Sequence, residues 1–304
     1  MPTAGDLLST VAQTCKLSTG CSILDAALGG GLDMTGITEI AGEAGAAKTQ
    51  LALQLMLQAQ LPQNCGGLCG GAVYLHGDTS SCEPALKRLH SLAQAFAERH
   101  KAIGATVEGL KNQVFVMQVD SSEELMRIVT ESVPTFLQST NIRLIVVDSI
   151  GGLYRTVADE AAAAGQQRGS AQAERAQHTM RLAARLKQVG SMHNVAVVVT
   201  NQVSDKPLDE LSSRLAAPWE LGPCSASPGG SSLRVPALGA SWASCVNTRL
   251  VLTRTPGPNV GPDASTGSGT SCWHRWLHVA WSPRVGETSV PFELREQGLV
   301  GLVS

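Results

Sequence analysis

The stretch ITEIAGEAGAAKTQ, residues 37–50, decides how the rest of this chain is read. Its first six residues, Ile37 to Gly42, form an apolar, β-branched run of strand length. From Lys48 onward, Leu51, Leu55 and Met56 fall at helical spacing, so a helix starts at the lysine. Between strand and helix stand Gly42, Glu43, Ala44, Gly45, Ala46, Ala47, Lys48 and Thr49. A glycine, four residues, a second small residue, a lysine and a threonine at such a junction place backbone N–H groups and a positive helix end around a polyphosphate. Lys48 would reach the terminal phosphates, and the Thr49 hydroxyl would hold Mg²⁺. The plainer alternative is a Gly/Ala-rich turn with a chance lysine.

Ala47 stands where this pattern carries a second glycine. If the position needs a positive φ, alanine costs about 1–2 kcal/mol there. Micromolar nucleotide binding is worth roughly 8 kcal/mol, so the expectation is weakened ATP binding rather than none.

Outward from this loop, GAVYLHGD (71–78), QVFVMQVD (113–120), RLIVVD (143–148) and VAVVVTNQ (195–202) read as strands separated by helical segments. RLIVVD has no polar alternation, so both of its faces are expected to be buried, as in a parallel sheet covered by helices. Pro84 opens one helix, Ser121 caps another ahead of Glu123 and Glu124, and a third spans 171–190 and ends at Gly190. Strands return at Val246–Arg254 and Trp276–Trp281. The fold class expected is α/β: a mostly parallel twisted sheet with helices on both faces and a C-terminal antiparallel extension. Residues 1–16 read as a tail and 17–304 as one core. Flexible loops are expected at about 151–170, 203–235 and 255–271, where Ser, Pro and Gly gather without periodicity.

Three strand ends extend the phosphate loop into a site. Asp148 closes RLIVVD and can hold the metal's water shell, although an aspartate there is also a common turn-former. Asp78 closes YLHGD and is a candidate to orient or deprotonate an attacking water. Gln202, in VVVTNQV, carries an amide able to sense the terminal phosphate. His76 reads as a sheet residue and Trp242, in GASWASC, as core packing.

Composition limits the partners. Aromatics make up 4% and the net charge is −2, which argues against a broad stacking platform or a strongly basic nucleic-acid surface. Eight cysteines lack the paired spacing of a zinc site and read as reduced thiols of an intracellular protein. The N-terminus carries no secretion signal, and no apolar stretch reaches the ~20 residues that cross a bilayer, so no membrane is expected.

The segment LSTGCSILDAALGGGL (17–32), followed by TEIAGEAGAAKTQLALQL, AVYLHGD, LIVVDSI, VAVVVTNQV and VPALGASWASCVNTRLVLTR, resembles the core of the RecA-type recombinase paralogues of eukaryotes. The likeness runs from residue 17 to about 300, and VPALGASWASCVNTR is its most specific piece. It implies ATP and Mg²⁺ as cofactors, bound between adjacent protomers. It also implies a role in homologous-recombination repair of DNA double-strand breaks and in processing branched, Holliday-type DNA. Implied partners are another recombinase paralogue, the one lettered C, as a heterodimer; the main strand-exchange recombinase; and single-stranded or branched DNA. The implied compartment is the nucleus.

By the same resemblance the loops after Asp148 and Gln202 face DNA, which makes Tyr154, Arg155, Arg168, Lys206, Arg214 and Arg234 candidate phosphate contacts and Trp219 a candidate stacking residue. Asp78 stands where the family usually carries a glutamate. Being one methylene shorter, it implies slow hydrolysis, since ~1 Å of misplacement costs on the order of a hundredfold. The family's N-terminal helical domain has no counterpart in the 16 residues ahead of the core. The expected role is an assembly or mediator subunit with at most slow DNA-dependent hydrolysis. The alternatives are an active DNA-stimulated ATPase with strand-pairing activity of its own, and a degenerate loop that serves only protein contact.

Overall fold

A computed structural model describes residues 3, 15–77, 81–154, 168–207, 232–256 and 273–303. β1 (Lys16–Leu17) and β2 (Leu32–Asp33) form a small antiparallel pair around α1 (Ser22–Ala27). The main sheet begins with β3 (Ile37–Gly42), which leads into α2 (Lys48–Ala59). There follow β4 (Gly71–His76), α3 (Glu83–Arg99), α4 (Val107–Asn112), β5 (Val114–Gln118) and α5 (Ser122–Arg127). A π-helical turn at Ile128–Ser132 joins α5 to α6 (Val133–Ser139), and β6 (Ile142–Asp148) comes next. The chain continues through α7 (Arg168–His193), β7 (Ala196–Pro207), β8 (Ser232–Pro236), α8 (Gly239–Ala243), β9 (Thr248–Pro256), β10 (Trp273–Trp281), β11 (Thr288–Arg295) and β12 (Gly298–Gly301).

The strands run in the order β12-β11-β10-β9-β3-β7-β6-β4-β5, with β8 added beside β7. From β9 to β5 every neighbouring pair is parallel, and from β9 to β12 every pair is antiparallel. This is the expected α/β architecture. The two-residue period of β6 divides its side chains between two cores. Leu144 and Val146 pack with Leu51, Leu55 and Phe96 on one face, while Ile145 and Val147 pack with Leu125, Leu182 and Leu186 on the other. A strand buried on both sides has no reason to alternate, which is why RLIVVD reads as a continuous apolar run.

Some boundaries differ from those expected, for physical reasons. α7 passes through Gly190 and stops three residues later. The stop is Asn194, in the left-handed region at φ 52°, which lets the Val195 amide reach back to the Gly190 carbonyl at 2.9 Å. The borders of the three segments expected as loops carry regular structure. Residues 150–154 are helical and α7 is already formed at Arg168, while β7 runs on to Pro207 because β8 pairs with it antiparallel. β9 and β10 likewise extend each other toward their connection, out to Pro256 opposite Trp273.

Candidate nucleotide site

β3, β6 and β7 are parallel, so their C-terminal ends share one edge of the sheet, where open α/β sheets bind ligands. The loop after β3 is tightly specified. Gly42 has φ 158°, and a Cβ there would strike the Leu252 carbonyl; Gly45 has φ 77°, with the Arg254 guanidinium 2.5 Å from where its Cβ would stand. Ala47 adopts φ 88°, ψ 20° and occupies the cap position of α2 without giving any side-chain hydrogen bond. The first amides of α2 are therefore left without a capping side chain, at the positive end of the helix. Lys48 lays its ammonium over the loop, donating to the carbonyls of Gly42 at 2.8 Å and Glu43 at 2.9 Å.

A cavity of about 310 Å³ opens against this loop, lined by Gly42, Glu43, Ala44, Lys48, Gln202, Val203 and Arg234. Gln202 reaches it from the β7 end and directs its side-chain amide at the Ser149 hydroxyl, 3.5 Å away. Ser149 follows Asp148, so one contact joins the ends of β6 and β7. The Asp148 side chain is buried and accepts hydrogen bonds from the Tyr74 hydroxyl at 2.7 Å and from the Thr200 hydroxyl. With each oxygen already accepting one bond, the carboxylate suits the water shell of a cation better than a bare ion. Burial, and secondarily the negative charge of Asp148, push the nearby Cys82 thiol above its ordinary range.

Charge around the loop is dense. Arg234 donates to Glu43 at 2.7 Å, and Arg254 stands 4.0 Å from the other oxygen of the same carboxylate while lying 4.4 Å over the Trp273 ring. Burial and the neighbouring Arg254 charge hold the Arg275 guanidinium below its usual value.

A phosphate-type loop after the first strand of a parallel sheet narrows the family, and comparison with known proteins decides it. Residues 11–218 match the Rad51 family. The chain is 34% identical to the DNA repair protein XRCC3 homolog of Arabidopsis thaliana over 93% of this chain and 92% of that protein. It is 33% identical to DNA repair protein XRCC3 of Bos taurus, over 95% of this chain and 76% of that one. It is 30% identical to DNA repair protein RAD51 homolog 2 of Homo sapiens, over 93% and 68%. This chain belongs to the Rad51 family. It is a RecA-type paralogue of that family, as the segments from residue 17 onward implied.

Beneath the phosphate loop, this Rad51-family chain has a buried polar cluster that sequence reasoning missed. Glu39, in the middle of β3 and 0% exposed, pairs with Arg249 of β9. It also accepts from Asn201 of β7 at 2.7 Å and from the Trp242 indole of α8 at 2.9 Å. Asn201 bonds the Ala237 carbonyl as well, and Arg249 lies 4.1 Å over the Trp281 ring. Trp242 is core packing, as expected, with an added polar task. The signal for this cluster was a lone glutamate inside an apolar strand, since a buried charge demands partners.

The other predicted residues fall in different places. Asp78, Arg155, Arg214 and Trp219 lie outside the described residues. Arg168 starts α7 and Lys206 stands in β7; their side chains are also outside what is described. Tyr154 is buried and bonded to His178 at 2.7 Å, so it is no surface contact. Burial first, then the Glu123 charge, push its hydroxyl pKa well up, against the opposing pull of Arg175. His76 is a buried sheet residue of β4. Arg234 lies at the phosphate loop, on Glu43. Among the described residues, no helix is long and apolar enough to cross a membrane.

Proposed function

We propose that this Rad51-family chain binds ATP with Mg²⁺ in the cavity at Lys48 and works as an assembly subunit in homologous-recombination repair of DNA. The observation that carries this reading is the meeting of Lys48, Gln202 and Arg234 around one cavity, at a helix start with no capping side chain. The amides from Ala44 to Thr49 and the Lys48 ammonium would hold the phosphates. The Thr49 hydroxyl and, through water, Asp148 would hold Mg²⁺, which when bound neutralises phosphate charge. Gln202 would report the terminal phosphate along β7 into the segment that follows it. Asp78 would serve any attack by water, slowly.

The relatives carry the names of DNA repair proteins, and this supports a place in recombination on single-stranded or branched DNA. A second recombinase paralogue of the C type and the main strand-exchange recombinase would be its partners in the nucleus. A second reading, an active DNA-stimulated ATPase, is disfavoured by the left-handed backbone of Ala47 in the phosphate loop. A degenerate loop that binds only protein is disfavoured by the cavity and its cations. Titrating a fluorescent ATP analogue with Mg²⁺ or EDTA, with and without single-stranded DNA, separates the three. Mg²⁺-dependent binding with little turnover is expected. Rapid DNA-dependent turnover would move the assignment to the ATPase, and no binding to the protein module.

A further inference from the structure

We infer that Arg234 is a terminal-phosphate ligand of the nucleotide site and that Glu43, within the phosphate loop itself, is its competing internal anion. The inference rests on the nucleotide-binding reading above and adds to it which residues set the preference for ATP over ADP. β8 runs antiparallel to β7, with Arg234 opposite Asp205, and the Ala237 amide ties the strand to the Gln202 carbonyl at 2.8 Å. This pairing brings Arg234 to the cavity from the β7 side, alongside Gln202 and Val203, whereas Lys48 lines the same cavity from the helix side.

Among the described residues lining that cavity, Glu43 is the only carboxylate. Its two oxygens face two guanidiniums, Arg234 at 2.7 Å and Arg254 at 4.0 Å. The two arginines are not equivalent. Arg254 is fixed on the Trp273 ring and against Gly45. Arg234 is the guanidinium that lines the cavity, on a side chain 23% exposed. A carboxylate and a phosphate offer a guanidinium the same paired-oxygen geometry, so one can replace the other on Arg234 with little rearrangement. A triphosphate bound by Lys48 would set its last phosphate between Lys48 and the Gln202–Arg234 wall, and Arg234 would exchange Glu43 for it. A diphosphate, one group shorter, would leave Arg234 on Glu43. The carboxylate thus keeps the arginine folded against the loop and lowers ATP affinity by competing for it.

The test measures ATP and ADP affinity by displacement of a fluorescent nucleotide from the parent chain and from Lys48→Ala, Arg234→Gln, Arg234→Lys and Glu43→Gln, each with its thermal midpoint. Arg234→Gln should weaken ATP about tenfold, the worth of one charge-assisted hydrogen bond, and ADP by less than about twofold. Arg234→Lys should recover part of the loss. Glu43→Gln should tighten ATP, and should no longer do so once Arg234 is Gln. A purely structural role would move both nucleotides together with the midpoint, and that result overturns the inference. Should Arg234→Gln fail to fold, Glu43→Gln decides alone: unchanged or weaker ATP binding overturns it. If the parent binds ATP and Lys48→Ala does not, yet the ATP-to-ADP ratio ignores Arg234 and Glu43, only this inference falls. If the parent binds neither nucleotide, the functional reading falls with it.

Discussion

Ala47 is a residue whose side chain opposes its own backbone. At φ 88° it occupies a region that L residues other than glycine enter at a cost of roughly 1–2 kcal/mol, and its burial leaves no room to relax by swinging outward. Ala47→Gly removes that strain, although glycine returns some of the gain through the freedom of the unfolded chain. The net expected effect is a stabilisation of about 1 kcal/mol, read as a rise in thermal midpoint of roughly 2 °C. ATP binding should tighten in the same variant, because the amides of Ala47 and Lys48 would reach their phosphate-binding geometry at lower cost. A fall in the midpoint would mean that the methyl group packs more favourably than its backbone suffers. The motif departure, alanine in place of a glycine, was legible in the sequence. Only the sign of φ needed the structure.

Among the elements, the most informative arrangement is the one that sequence could not supply. Glu39, Asn201, Trp242 and Arg249 lie on β3, β7, α8 and β9, up to 210 residues apart, and meet in a space closed to water. A pattern read along the chain sees each as an exception within an apolar stretch and cannot see that the exceptions answer one another. The cluster ties the strand that delivers the phosphate loop to the strand that delivers Gln202. Removing one charge leaves the other buried and unpaired, so Glu39→Gln or Arg249→Met should each cost about 3–5 kcal/mol in chemical unfolding. The double variant should cost clearly less than the two losses added together, because neither charge is then stranded. Additive losses would indicate that the two side chains stabilise separate regions.

The same limit explains the shifted loop borders. β8 is visible only through its pairing with β7, and the helix α7 outlasts Gly190 because the left-handed turn is made at Asn194. Where a segment's character is local, as in the apolar run Leu144 to Val147 of β6 or the Ser121 cap that accepts from the Glu124 amide at 3.1 Å, sequence and structure coincide.

For the molecule as a whole, the parallel sheet order sets β3, β6 and β7 side by side, and with them Lys48, Asp148 and Gln202 on one edge. The order of the apolar runs and the phosphate-loop pattern were enough to foresee that gathering. They could not foresee that Arg234, expected among DNA contacts, folds back to the phosphate loop. Family membership fixes the fold but does not by itself carry chemistry, which depends on whether a triphosphate occupies the start of α2. Isothermal titration of Mg²⁺-ATP into the parent chain and into Lys48→Ala, both with a native thermal midpoint, tests this most directly. Saturable binding by the parent, weakened at least about tenfold in the variant through loss of one charged phosphate contact, is the expected result. Equal affinity in the two proteins would contradict the account, because nucleotide would then be held somewhere other than the site at Lys48.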